Sequence, residues 1–129
     1  MDKIAFDLVS PERLLLSERA EMVTIPGTEG DMGVMAGHMP LISTLRPGVI
    51  AVKGGESDGR FYVTGGFAEV TPARLTVLAE EAVPVGELDA AKLETRIQQA
   101  EETLAAAGDA EKAKAQEVVD SLKTLRTTH

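Results

Sequence analysis

The sequence predicts an all-β unit, a sandwich or flattened barrel over residues 1–84, followed by an antiparallel hairpin of two α-helices over residues 85–129. Three observations carry this reading. Apolar pieces of four to eight residues, broken by glycine or proline, fill the first part, as antiparallel strands do. Composition then changes at Pro84: all six prolines, the three phenylalanines, the single tyrosine and ten of the twelve glycines lie at or before it. Beyond Gly86 alanine, glutamate, leucine and lysine take over, and apolar residues recur at helical steps of three and four.

Residues 4–9 (IAFDLV) read as the first strand, closed by "SPE", and residues 14–16 (LLL) and 21–25 (EMVTI) follow, the last ending at Pro26-Gly27. Residues 49–53 (VIAVK) run into "GGESDG", and residues 60–64 (RFYVT) return as the second strand of a hairpin. Residues 66–70 (GFAEV), a turn at "TPAR" and residues 75–80 (LTVLAE) form a further pair. Eight or more such strands within 84 residues need two layers, because each must bury its apolar face.

In the second part Leu93, Ile97, Ala100 and Leu104 form one helical stripe, and Ala115, Val118, Leu122 and Leu125 form another. Asp89 is placed to cap the first helix, Gly108 to end it in the left-handed conformation, and Asp109 to start the second. So short a connection makes the helices antiparallel. Both stripes are narrow and rich in alanine, so the hairpin is expected to be the less stable half, able to settle in more than one place.

Charge and composition exclude several functions. A length of 129 residues fits one modest core with an appendage, not two full enzyme domains. The net charge of -8 argues against nucleic-acid binding, which needs basic surface to displace counterions from phosphates. Residues 1–84 carry 7 basic and 12 acidic side chains and residues 85–129 carry 6 and 9, so neither part is a basic arm. A basic partner is the better fit. The absence of cysteine removes disulfides, thiolate metal sites and cysteine nucleophiles, and suits a reducing compartment. No apolar run approaches the roughly 20 residues that cross a bilayer, and the N-terminus lacks a signal or transit pattern, so the chain is expected to stay in the cytoplasm without inserting into lipid.

The stretch "GTEGDMGVMAGHMP" concentrates four glycines, two acids and His38 within residues 27–40. It invites three chemical readings. A phosphate-binding loop would need Gly-Lys-Ser/Thr at the start of a helix, and a dinucleotide fingerprint would need G-x-G-x-x-G between strand and helix; neither is present. For a metal, Glu29 and Asp31 lie upstream of His38, yet the second histidine is the terminal His129, where chains fray. As a general base His38 would need a nucleophile and an orienting acid, for which Ser43 and Asp31 are the neighbours in sequence. The plainer reading is that the glycines supply positive-φ turns between short strands and His38 is a structural hydrogen-bonding residue.

The order G-x-E-G-x-x-G, G-H-x-P-L, L-x-P-G, G-G-F-x-E-V and V-T-V-L-A, read from "GTEGDMGVMAGHMPLISTLRPGVI" and "YVTGGFAEVTPARLTVLAEEAV", resembles the epsilon subunit of bacterial F-type ATP synthase. That family is the counterpart of the mitochondrial delta subunit. The N-terminal "FDLVSPE" and the C-terminal hairpin also fit, so the resemblance spans the chain. It implies a ten-stranded β-sandwich followed by two α-helices, and a non-catalytic role in the central stalk at the cytoplasmic face of the bacterial inner membrane. There the sandwich binds the gamma subunit and the c-ring and couples proton-driven rotation to ATP synthesis. By position the resemblance assigns Ser10 and Asp31 to the c-ring and His38 and Ser43 to gamma. An acid suits the first contact, since basic polar loops on the ring would complement it.

The hairpin departs from the family pattern. Some members block ATP hydrolysis by extending it toward the catalytic alpha and beta subunits, and some bind ATP through a motif like I/L-D-x-x-R-A. Here the matching residues are Leu88-Asp89-Ala90-Ala91-Lys92-Leu93, with lysine for arginine and leucine for alanine. Lysine offers a point charge without arginine's planar fork, so no cofactor is expected and ATP binding through Asp89 and Lys92 is expected to be weak at most. Lys112, Lys114, Lys123 and Arg126 are interleaved with Glu111, Glu117 and Asp120, so the second helix lacks the basic face an inhibitor would use. Weak inhibition is the expectation, and a small nucleotide-responsive module acting as an ATP sensor is the alternative.

Overall fold

The computed structural model describes residues 2–56 and 59–128; Met1, Ser57 and Asp58 of the "GGESDG" turn and His129 lie outside the described residues. The chain divides into two compact units, Met1–Val85 and Gly86–His129.

The first unit holds ten strands: β1 Ile4–Val9, β2 Leu14–Ala20, β3 Met22–Gly27, β4 Gly30–Val34, β5 Leu41–Leu45, β6 Gly48–Lys53, β7 Arg60–Val63, β8 Gly66–Val70, β9 Arg74–Ala79 and β10 Ala82–Pro84. They form one continuous sheet in the order β10-β7-β6-β3-β5-β8-β9-β1-β2, with β4 paired to β3. The sheet folds over at a single bridge between β3 and β5, Gly27 to Leu45, and becomes a sandwich. Pro26 precedes that corner. It has no N–H to donate, and its carbonyl accepts from the Arg46 backbone N–H at 2.9 Å.

Alternation decides the core. On β1, Ile4, Phe6 and Leu8 are fully buried, and Val23, Ile25, Val34, Ile50, Val63, Ala68, Leu75 and Val77 join them between the layers. Gly66, at φ 138°, is required where the chain enters β8: a Cβ there would stand 2.2 Å from the Leu78 carbonyl oxygen.

The "GTEGDMGV" region is more regular than a string of turns. Residues 30–34 form a strand, and of the four glycines in residues 27–40 only Gly30 and Gly37 take positive φ, at 137° and 88°. Gly27 serves another purpose, since a Cβ on it would meet the Gly30 carbonyl oxygen at 2.8 Å, so the hairpin needs a bare backbone there.

A 3-10 turn, Val85–Glu87, spans the boundary, and the second unit contains α1 Ala90–Ala106 and α2 Asp109–Thr128, packed against each other as a hairpin. Leu93 and Ile97 are buried on α1, and Ala115, Val119, Leu122 and Leu125 on α2. The second stripe therefore runs through Val119 rather than Val118: the 4-3-3 spacing rotates it slightly from the expected 3-4-3. Gly108 does not adopt the left-handed conformation. α1 ends at Ala107 in an extended conformation, and the Gly108 carbonyl accepts from the N–H groups of Glu111 and Lys112, opening α2 instead.

Candidate functional site

Cross-strand register sorts the candidate residues by position. Thr44, Phe67, Leu78, Val9 and Leu14 are successive partners across β5, β8, β9, β1 and β2. Ser10 follows Val9, and Asp31 follows Gly30, whose partner Gly27 is bridged to Leu45. Ser10 and Asp31 therefore lie toward the same end of the sandwich. The opposite end carries the row Leu41, Val70, Leu75 and Phe6. His38 precedes that row, in a turn fixed by the Gly37 N–H to the Pro72 carbonyl at 2.7 Å and the His38 N–H to the Met35 carbonyl at 3.1 Å. At about 3.3 Å per strand residue the two ends are on the order of 15 Å apart. Asp31 and His38 thus cannot act as one catalytic or metal-binding pair.

Local chemistry differs among them. Ser10 closes the β1–β2 turn: its N–H and hydroxyl both donate to the Arg13 carbonyl, at 3.0 and 3.4 Å. The His38 ring donates from Nδ1 to the Met39 carbonyl at 2.9 Å; a carbonyl only accepts, so Nδ1 holds the proton. Ser43 belongs by alternation with Leu41 and Leu45, the inward set of β5, and its hydroxyl donates to the Thr44 carbonyl at 3.3 Å. Ile42 takes the outward place beside it and is 72% exposed.

Asp31 is not a bare anion. Arg46 Nη2 lies 2.6 Å from its Oδ1, and Arg46 Nη1 donates to the Gly27 carbonyl, so one guanidinium braces both arms of the β3–β4 hairpin. Asp31 and Arg46 are fifteen residues apart, and only the bend between β3 and β5 brings them together. Asp89 is likewise committed: it is the N-cap of α1, with Oδ1 accepting from the Lys92 N–H at 2.8 Å. Capping accounts for an aspartate at this position without any ligand.

Sequence reasoning missed the outward face of the β5-β8-β9-β1-β2 layer. Leu14, Ile42, Phe67 and Leu78 are its exposed large apolar side chains, and the row from Phe67 through Leu78 and Val9 to Leu14 is continuous. Beside it Val9, Ser10, Pro11, Phe67, Leu78 and Glu80 line a groove of about 610 Å³. The signal was present in the alternation L-I-S-T-L and G-F-A-E-V, where apolar residues occupy both faces.

An apolar outward face on a sandwich, followed in the chain by a separate helical hairpin, is the kind of surface that marks a protein interaction site. Residues 3–85 match the family described as ATP synthase, Delta/Epsilon chain, beta-sandwich domain. The chain belongs to the ATP synthase epsilon chain family. It is 56% identical over 129 residues to the ATP synthase epsilon chain of Parvibaculum lavamentivorans, covering 98% of each chain. It is 54% identical over 112 residues to that of Rhodospirillum rubrum, covering 85% of this chain and 84% of the relative. Among solved structures, it superposes on a chain of the Euglena gracilis mitochondrial ATP synthase OSCP/F1/c-ring assembly with TM-score 0.78 and 26% identity, covering 99% of this chain and 82% of that one. A chain of the Tetrahymena thermophila mitochondrial ATP synthase central stalk and c-ring shares the fold, with TM-score 0.72, 18% identity and 96% coverage of both.

Proposed function

We propose that this chain is a non-catalytic central-stalk subunit that joins a gamma-type shaft to a c-ring and turns with both at the cytoplasmic face of the bacterial inner membrane. The continuous outward row of Leu14, Val9, Leu78 and Phe67, with Ile42 beside it, carries the reading. An apolar stripe on a rigid sheet is stable in water only at a cost, and a permanent partner removes it. In this reading the shaft covers that face and reaches His38, with the inward Ser43 supporting the contact from within β5, while the end bearing Ser10 and Asp31 meets the polar loops of the ring. No helix of the described residues is long and apolar enough to cross a membrane, which suits a peripheral subunit. The hairpin, with its mixed charges, inhibits ATP hydrolysis only weakly through the alpha and beta subunits. Asp89 and Lys92 contribute no strong nucleotide site.

Reconstitution tests this. ATP synthase stripped of the subunit should regain proton-coupled ATP synthesis with the wild-type chain, and Phe67→Glu should bind the shaft at least tenfold more weakly while folding normally. Normal coupling by Phe67→Glu would remove the outward face from the shaft contact. Deleting residues after Gly86 should restore synthesis equally and raise hydrolysis little; a large activation would instead make the hairpin a strong inhibitor.

A further inference from the structure

The outward face of the β5-β8-β9-β1-β2 layer carries charges beside its apolar row, and the register places each of them. One row further from the end that bears Ser10 and Asp31, Asp7 lies opposite Thr76, and Thr76 opposite Glu69. One row further again, Arg19 and Arg74 flank Ala5. Asp7 is compensated where it stands: Arg74 Nη1 donates to its Oδ2, and the Ser17 hydroxyl to its Oδ1 at 2.7 Å. Arg19 has no acid among the described residues. Its Nη2 donates to the Lys3 carbonyl at 3.0 Å, which orders the guanidinium without neutralising it, and Lys3 is itself exposed, with Asp2 before it in the chain. Glu69 is exposed and, among the described residues, has no ion pair or side-chain hydrogen bond. The face is therefore cationic at Arg19, on the edge strand β2, and anionic at Glu69, on β8. Three strand spacings of about 4.8 Å and two residues of about 3.3 Å put the two charges on the order of 16 Å apart.

We infer that Arg19 and Glu69 set the direction in which the shaft seats on this face, the shaft presenting an acidic side chain to Arg19 and a basic one to Glu69. The inference rests on the stalk reading above and deepens it. The apolar row of Leu14, Val9, Leu78 and Phe67 supplies area, but burial of apolar surface has no direction, and a segment laid along the row could run either way. Two unlike charges on one side of the row remove that freedom. Seated one way, each meets its opposite; turned end for end, each meets its like, which is how charge fixes register and rejects wrong poses. Asp7 and Arg74 take no part in this choice, because they neutralise each other.

The experiment measures binding of the full-length chain to the gamma subunit of the same enzyme at low and high salt, beside sedimentation and thermal unfolding of each free variant. Arg19→Gln and Glu69→Gln should each weaken binding about twofold to threefold at low salt, and the reversals Arg19→Glu and Glu69→Lys about fivefold, with little effect at high salt and unchanged unfolding midpoints. The double reversal should weaken binding by about the product of the two single effects, since the sites are too far apart to couple. Reversals no worse than neutralisations would mean that no opposite charge faces these residues, and the inference falls. It falls also if the free chain self-associates, each single reversal breaks the dimer and the double reversal restores it: the face then belongs to a second copy, Arg19 of one meeting Glu69 of the other. Phe67→Glu separates the two levels. If it weakens shaft binding while the charge variants do not, the stalk reading stands without this inference; if none of them weakens it, both fall.

Discussion

The sandwich and the hairpin bury their apolar residues in different ways. In the sandwich, strands distant in sequence meet across two layers, and Ile4, Phe6, Leu8, Ile25, Ile50 and Leu75 lose all contact with solvent. In the hairpin, order is mostly local: backbone hydrogen bonds run within each helix, six side chains on the two helices are buried, and exposed ion pairs such as Lys123–Glu101 at 3.6 Å and Arg126–Glu94 at 3.1 Å add little. A two-layer sandwich core resists shear, because no inner strand can slide without breaking its pairing with both neighbours. A helical hairpin can part or reform as a unit at far lower cost. Rigidity therefore resides where load would pass, and adjustability where regulation would act.

Three substitutions break or sharpen that contrast. Phe6→Ala removes a fully buried ring from between the layers and should destabilise the sandwich by about 3–5 kcal/mol, measured as a lower urea midpoint for the sheet. If the helical signal at 222 nm disappeared in the same step, the two units would be one cooperative body and the contrast would fail. Leu122→Ala, at a helix position only 1% exposed, should cost the hairpin about 2–3 kcal/mol and reduce the 222 nm signal, with the sheet transition unmoved. Asp89→Ala removes the N-cap of α1 and should cost about 1 kcal/mol; Asp89→Asn should recover most of it, because an amide oxygen caps nearly as well. A loss that asparagine does not recover would mean that the carboxylate has a second task.

How much of this was legible depended on whether a residue's role is local. Strands with clean alternation, such as residues 4–9 and 75–79, and a cap such as Asp89 could be read directly, because the cause lies within a few residues. β5 was missed: it lies between Pro40 and Pro47, and Ile42 interrupts its polar face with an exposed apolar residue. β10 is three residues long, too short for any period to register. Gly108 misled because glycine is permissive: it allows the left-handed turn without requiring it, and here Ala107 ends the helix first. The pairing of Arg46 with Asp31 was invisible, since no pattern along the chain says that the sheet bends at Gly27.

One pairing in the sheet has a consequence for synthesis. β1 lies between β2 and β9 and runs parallel to β9, with Ala5 opposite Arg74 and Val9 opposite Leu78. During synthesis β1 can form a hairpin with β2 at once, but its other edge must wait for a segment made roughly 70 residues later. At about 5–20 residues per second that interval is some 4–14 s. Throughout it a nascent chain offers an open strand edge, the kind of template on which neighbouring chains pair wrongly.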